Sequence, residues 1–136
     1  MRVLVDTSIW ADFLNDAPTP GAERLARLIE DEVEIVTCGV VIAEVFQGIR
    51  RSSTLPALER QFRDMDCLTP REPDSYLAAA RLYRDLRAAG ITVRSTIDCL
   101  IVTLAEEHGV FLLFRDRDLE RILGSGRTKA RAMPAA

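Results

Sequence analysis

Two short apolar runs, Val3-Leu4-Val5 and Val110-Phe111-Leu112-Leu113-Phe114, each give way to an aspartate within two residues, at Asp6 and at Asp116. Runs this short read as strands rather than buried helices. The second is continuously apolar, as in a strand covered on both faces. Longer amphipathic segments separate them. Strands alternating with helices predict an α/β fold, with a mainly parallel central sheet between two helical layers. Sites in such sheets form outside the carboxyl ends of the strands, where both aspartates fall.

The pattern predicts strands over Arg2–Val5, Glu34–Val36 and Phe111–Phe114. Helices are expected over Thr7–Leu14, Ala22–Asp31, Gly39–Arg50, Leu55–Asp64, Asp74–Ala88, Ile97–His108 and Arg117–Leu123, with a turn at Pro18-Thr19-Pro20-Gly21. The helix over 74–88 shows Leu77, Ala80, Leu82, Tyr83 and Leu86, and Gly90 stops it. In the next, Ile97, Leu100, Ile101, Leu104 and Ala105 follow helical spacing, and Gly109 ends it. The 136 residues suit one domain with a sizeable core, followed by a loose tail from about Gly124 to Ala136.

Two more acids stand where a solvated face would not put them. Glu44 interrupts Val40-Val41-Ile42-Ala43 and Val45-Phe46, and Asp98 opens the apolar helix over 97–108. Uncompensated carboxylates beside a core cost several kcal/mol each unless cations or hydrogen bonds hold them. If the fold gathers Asp6, Glu44, Asp98 and Asp116, their repulsion requires a divalent cation. Hard oxygen ligands suit Mg²⁺ or Mn²⁺. Each acid also has a structural alternative. Asp6 and Asp116 can cap the helices that follow, Asp118 can favour the helix dipole, and Asp98 fits a capping box, Ser95-Thr96-Ile97-Asp98.

The net charge of −3 does not exclude a nucleic-acid partner, because removing the four acids leaves 17 acids against 18 bases. Of those bases, 17 are Arg and one is Lys129, and the guanidinium fork suits phosphate. His108 is the only histidine, so a two-histidine nuclease is excluded. No GxSxG, GxGxxG or Walker motif occurs. An aspartyl-phosphate enzyme would need a lysine near the phosphate, and Lys129 lies in the tail. The opening residues lack a signal-peptide core, and no apolar run approaches the roughly 20 residues of a membrane span. Cys38, Cys67 and Cys99 lack CxxC spacing and lie in apolar contexts, so small buried thiols in a cytoplasmic protein are expected.

Four segments together resemble the PIN-domain nucleases, and among them the VapC-type ribonuclease toxins. They are Val3-Leu4-Val5-Asp6-Thr7-Ser8, Val41-Ile42-Ala43-Glu44-Val45, Arg94-Ser95-Thr96-Ile97-Asp98-Cys99-Leu100-Ile101 and Leu112-Leu113-Phe114-Arg115-Asp116-Arg117-Asp118. The resemblance implies a metal-binding cluster of Asp6, Glu44, Asp98 and Asp116, supported by Thr7, Ser8 and Asp118. Phe114 stands where the family commonly has a hydroxyl residue, and Leu119 where Phe is usual. These departures leave open whether Asp116 or Asp118 is the better ligand, and whether one or two metals bind. The implied activity is endoribonuclease cleavage by metal-activated water, leaving 5′-phosphate and 3′-hydroxyl ends. The implied partners are RNA and a VapB-type antitoxin, in a homodimer that forms a larger complex with the antitoxin. A catalytically silent protein- or RNA-binding PIN-like domain is the other reading. For an interface, the helices over 39–50 and 55–64 offer nine apolar residues: Val40, Val41, Ile42, Val45, Phe46, Ile49, Leu55, Leu58 and Phe62.

Overall fold

A computed structural model describes residues 1–134. Strand β1 (Arg2–Val5) leads to α1 (Thr7–Leu14) and α2 (Pro20–Glu30), then β2 (Glu34–Cys38) to α3 (Gly39–Gln47), a 3₁₀ turn (Ser52–Thr54) and α4 (Leu55–Asp64). Next come β3 (Asp66–Leu68), α5 (Asp74–Ala88), α6 (Thr96–His108), β4 (Phe111–Leu113), α7 (Arg117–Leu123) and β5 (Arg131–Ala132). All pairings are parallel, in the order β3-β2-β1-β4-β5.

The chain winds outward from β1 to β3 and then crosses back to β4. Right-handed crossovers therefore put α1–α4 on one face and α5–α6 on the other. The contacts agree: α1 packs on α2 and α3, and α6 packs on α5 and α7. The order reverses between β1 and β4, which is where an open α/β sheet leaves its crevice. Val3, Leu4, Val5, Val36 and Leu112 are fully buried at the centre.

Several expectations about the elements need correction. The proline–glycine turn is shorter, because Pro20 and Gly21 form the first turn of α2. Thr19 caps it by accepting the Ala22 N–H at 3.2 Å, and proline at N1 loses no hydrogen bond. Helix α3 stops at Gln47, three residues early. Strand β3 was illegible because it has three residues on a sheet edge and only Leu68 is buried.

The tail is not loose as far as residue 134. Arg131–Ala132 forms β5 on β4, the Met133 N–H reaches the Leu112 carbonyl at 2.7 Å, and Arg131 lies over the Phe111 ring. The last two residues of the expected tail lie outside the described residues. The buried face of α5 is Ser75, Ala79, Leu82 and Leu86, leaving Leu77 and Ala80 exposed. Ile97 also sits outward, at the open end of α6. Cys38 and Cys99 are buried, but Cys67 on edge strand β3 is exposed.

Candidate metal centre

At the end of β1, the Asp6 N–H continues the pairing with β4 by donating to the Leu113 carbonyl at 2.9 Å. This fixes Asp6 at the crevice between the two strands. Its Oδ2 caps α1, accepting the Ser8 N–H at 3.3 Å and the Ser8 hydroxyl at 2.7 Å. Asp6 is buried. Burial pushes its carboxyl up, the Ser8 and Thr7 hydrogen bonds pull it back, and Asp116 adds a further upward push. The net direction is upward.

Glu44 is half-buried on α3, and its Oε1 accepts the Thr7 hydroxyl at 3.0 Å. Adjacent residues at the start of α1 thus hold different acids, Thr7 gripping Glu44 and Ser8 gripping Asp6.

Asp98 lies in the first turn of α6. Ser95 caps that helix by accepting the Ile97 N–H at 3.0 Å, but no return bond from Asp98 to the cap forms among the described residues. Only half of the capping box exists, so the Asp98 carboxylate is free for the crevice. Burial, then the charges of Asp116, Asp6, Asp118 and Glu44, push its carboxyl up to about 7.

The Asp116 Oδ1 caps α7 by accepting the Asp118 N–H at 2.8 Å. Carboxylate oxygens of Asp98, Asp116 and Asp118 lie within 4.8 Å of one another. Asp6 and Glu44 stand near enough for their charges to act on Asp98. The structure therefore brings all five candidate acids to one edge of the sheet. Asp118 is the most fully neutralised of them: the Arg94 N–H reaches its Oδ2 at 3.1 Å, the Arg94 Nε at 3.2 Å, and Arg121 stands 3.7 Å from Oδ1. The Arg94 N–H is the largest influence, and with the Arg94 and Arg121 charges it outweighs burial and holds the carboxyl low.

Two features were not legible in the sequence. Arg94 gave no signal beyond being a cation four residues before Asp98. Arg115, just before Asp116, grips Asp12 on α1 with two bonds, Nε to Oδ2 at 2.7 Å and Nη2 to Oδ1 at 3.1 Å, and Thr19 adds a third to Asp12 at 3.2 Å. This clamp joins the helix behind Asp6 to the loop before Asp116 across 103 residues, a distance no local pattern spans. Because Arg115 is more than half exposed, its coupling to Asp12 is expected to be about 1 kcal/mol. A double-mutant cycle of Asp12→Asn and Arg115→Met in urea unfolding measures it. Strictly additive losses would show the clamp to be without effect.

The donor set suits a hard divalent cation: carboxylate oxygens converge, with no imidazole or thiolate in the group among the described residues.

The family model for the PIN domain matches residues 3–124. Ribonuclease VapC11 of Mycobacterium tuberculosis is 35% identical over 121 residues, spanning 88% of this chain and 90% of the relative. Among solved structures, VapBC-1 from nontypeable Haemophilus influenzae superposes with a TM-score of 0.69 at 18% identity, covering 98% of this chain and 97% of that one. VapBC2 from Rickettsia felis, bound to a DNA fragment from its promoter, superposes with a TM-score of 0.66 at 18% identity, covering 90% and 93%. These two likenesses carry the fold, and the sequence match carries the relationship. An acidic crevice at the β1/β4 switch point, in a chain matched along most of its length, makes this protein a member of the PIN-domain family, among the VapC-type proteins.

Proposed function

We propose that the protein is a metal-dependent endoribonuclease toxin, restrained by a VapB-type antitoxin. The observation that carries this reading is the convergence of the Asp98, Asp116 and Asp118 carboxylates, oxygens within 4.8 Å of one another, where burial and the neighbouring acids push the Asp98 carboxyl up. In ionised form such a cluster repels itself, and a shared cation relieves that repulsion. A relative at 35% identity that is itself named a ribonuclease supports the substrate class.

In this reading Asp6, Glu44, Asp98 and Asp116 hold Mg²⁺ or Mn²⁺, which would supply charge neutralisation on the phosphodiester and acidify the attacking water. Ser8 and Thr7 orient Asp6 and Glu44 for that task. Asp98 must lose its proton to join, so a bound cation would draw its carboxyl back down.

Beside the cluster runs a groove of about 620 Å³ between α1, α3 and α4, sharing Thr7 and Glu44 with it. Of the nine apolar residues on α3, α4 and the linker between them, Val41, Val45, Leu58 and Phe62 are buried. Val40, Ile42, Phe46, Ile49 and Leu55 are half-buried, so the monomer covers more of them than the sequence led one to expect. An antitoxin segment with apolar anchors and one arginine suits this groove, since the guanidinium would meet Glu44 at its end. The solved VapBC complexes support such a partner. Tyr76 and Leu77 on α5, with Ile97, are three of the five large apolar side chains left exposed among the described residues, beside Met1 and Ile29, and suit the homodimer contact. No helix among the described residues is long and apolar enough to cross a membrane, and we place the protein in the cytoplasm.

The deciding experiment incubates purified protein with RNA in Mg²⁺ or Mn²⁺. Cleavage to 5′-phosphate ends is expected, falling to background with chelator and in Asp6→Asn. Equal cleavage by Asp6→Asn would exclude this chain as its source.

A further inference from the structure

Three arginines touch or border the acidic crevice, and their outer nitrogens differ. Arg115 spends both its Nε and Nη2 on Asp12. Arg121 donates its Nη1 to the Thr92 carbonyl at 2.9 Å. Arg94 is held through its backbone N–H and its Nε, both by the single oxygen Oδ2 of Asp118. Its outer nitrogens have no hydrogen-bond acceptor among the described residues, and Nη2 stands 3.8 Å from the Asp116 Oδ1. The side chain is 82% exposed, while the Asp118 carboxylate beneath it is 7% exposed.

This arrangement has an energetic logic. A free arginine side chain loses rotamer entropy when fixed. Here one buried carboxylate fixes both backbone and guanidinium in advance, so less remains to be lost when an anion arrives. The fork is turned so that its inner edge faces Asp118 and its outer edge faces solvent beside Asp116. Two outer N–H groups in a plane match two oxygens of a phosphate. Asp118, already bonded to Arg94 and flanked by Arg121, is poorly suited to give its oxygens to a metal as well.

We propose that Arg94 is a substrate-binding residue that grips the non-bridging oxygens of the RNA phosphate seated at the acidic cluster, and that Asp118 is its positioning residue rather than a metal ligand. The proposal rests on the nuclease reading above. It also divides the acids by role, with Asp6, Glu44, Asp98 and Asp116 toward the cation and Asp118 toward the arginine. Charge developing on the phosphate during cleavage would strengthen the guanidinium contact, so the effect belongs mainly in kcat.

The test compares wild type, Arg94→Met, Arg94→Lys and Asp118→Asn, using a 5′-labelled random-sequence RNA pool for cleavage. Mn²⁺ binding to the RNA-free protein is followed separately by calorimetry, and thermal melts check folding. Arg94→Met is expected to lose on the order of 10²-fold in kcat, with a much smaller change in KM and Mn²⁺ binding retained or tightened. Arg94→Lys should recover part of the rate, since an ammonium keeps the charge but cannot face Asp118 and a phosphate together. Asp118→Asn should resemble Arg94→Met, keeping Mn²⁺ binding while losing kcat. Loss of Mn²⁺ binding in Asp118→Asn would make Asp118 a ligand and overturn the proposal. Wild type and Arg94→Met cleaving alike would remove this role and leave the nuclease reading standing. Wild type that cleaves nothing would remove both.

Discussion

Asp98→Asn is expected to abolish RNA cleavage and, in the metal-free protein, to raise stability at neutral and alkaline pH. The Asp98 carboxyl is at about 7 in the fold against an ordinary 3.8. Between these values the folded state holds more protons at this position than the unfolded chain. Wild-type stability therefore falls as pH rises from about 4 to about 7 and stays lower above that. The amide removes that dependence. Full conversion of the shift would overstate the gain for a half-buried group, and screening by solvent leaves about 1–2 kcal/mol. Urea unfolding with excess chelator, at about pH 5 and about pH 8, measures it. The variant should gain at the higher pH and little at the lower. If it loses stability at both, Asp98 is acting as a helix cap and the cluster repulsion is unimportant.

The largest stability loss is expected at Trp10, buried on α1. Trp10 is 3% exposed and packs tilted on Phe62 at 4.9 Å between ring centroids and edge-on to Phe13 at 6.0 Å. Phe62 in turn meets Phe46 edge-on at 5.2 Å. These rings join α1, α3 and α4, the elements that hold Glu44 and line the groove. Trp10→Ala should cost about 3–5 kcal/mol. The indole Nε1 is buried without a hydrogen-bond partner among the described residues. Trp10→Phe therefore trades lost volume against removal of an unsatisfied donor, and should cost far less than the alanine change. Because Trp10 is the only tryptophan, circular dichroism rather than fluorescence must follow unfolding. Equal losses for Phe and Ala would mean that the indole N–H finds a partner in solution.

The architecture and the roster of acids follow from local sequence pattern. Apolar runs as short as Val3–Val5 and Val110–Phe114 can only be strands, and the amphipathic stretches between them force parallel pairing. An acid set into an apolar helix, as Glu44 is, has few uses other than a site. These signals are local, within one run or a few helical turns, and hence legible.

Tertiary structure decided the rest, because the forces involved act between residues far apart in the chain. Edge strands β3 and β5 exist through backbone bonds to their neighbours rather than through their own pattern, so Asp66–Leu68 and Arg131–Ala132 carried no strand signature. The capping box at Ser95–Asp98 was a sound local reading, yet only Ser95 uses it, since Asp98 faces charges brought from β1, α3 and α7. Asp116, placed in the cluster, and Asp118, placed in support, stand two residues apart, and the sequence left open which is the better ligand. The fold separates them by bringing Arg94 from 24 residues away onto Asp118, because ion pairing depends on distance in space, which the order of residues does not encode.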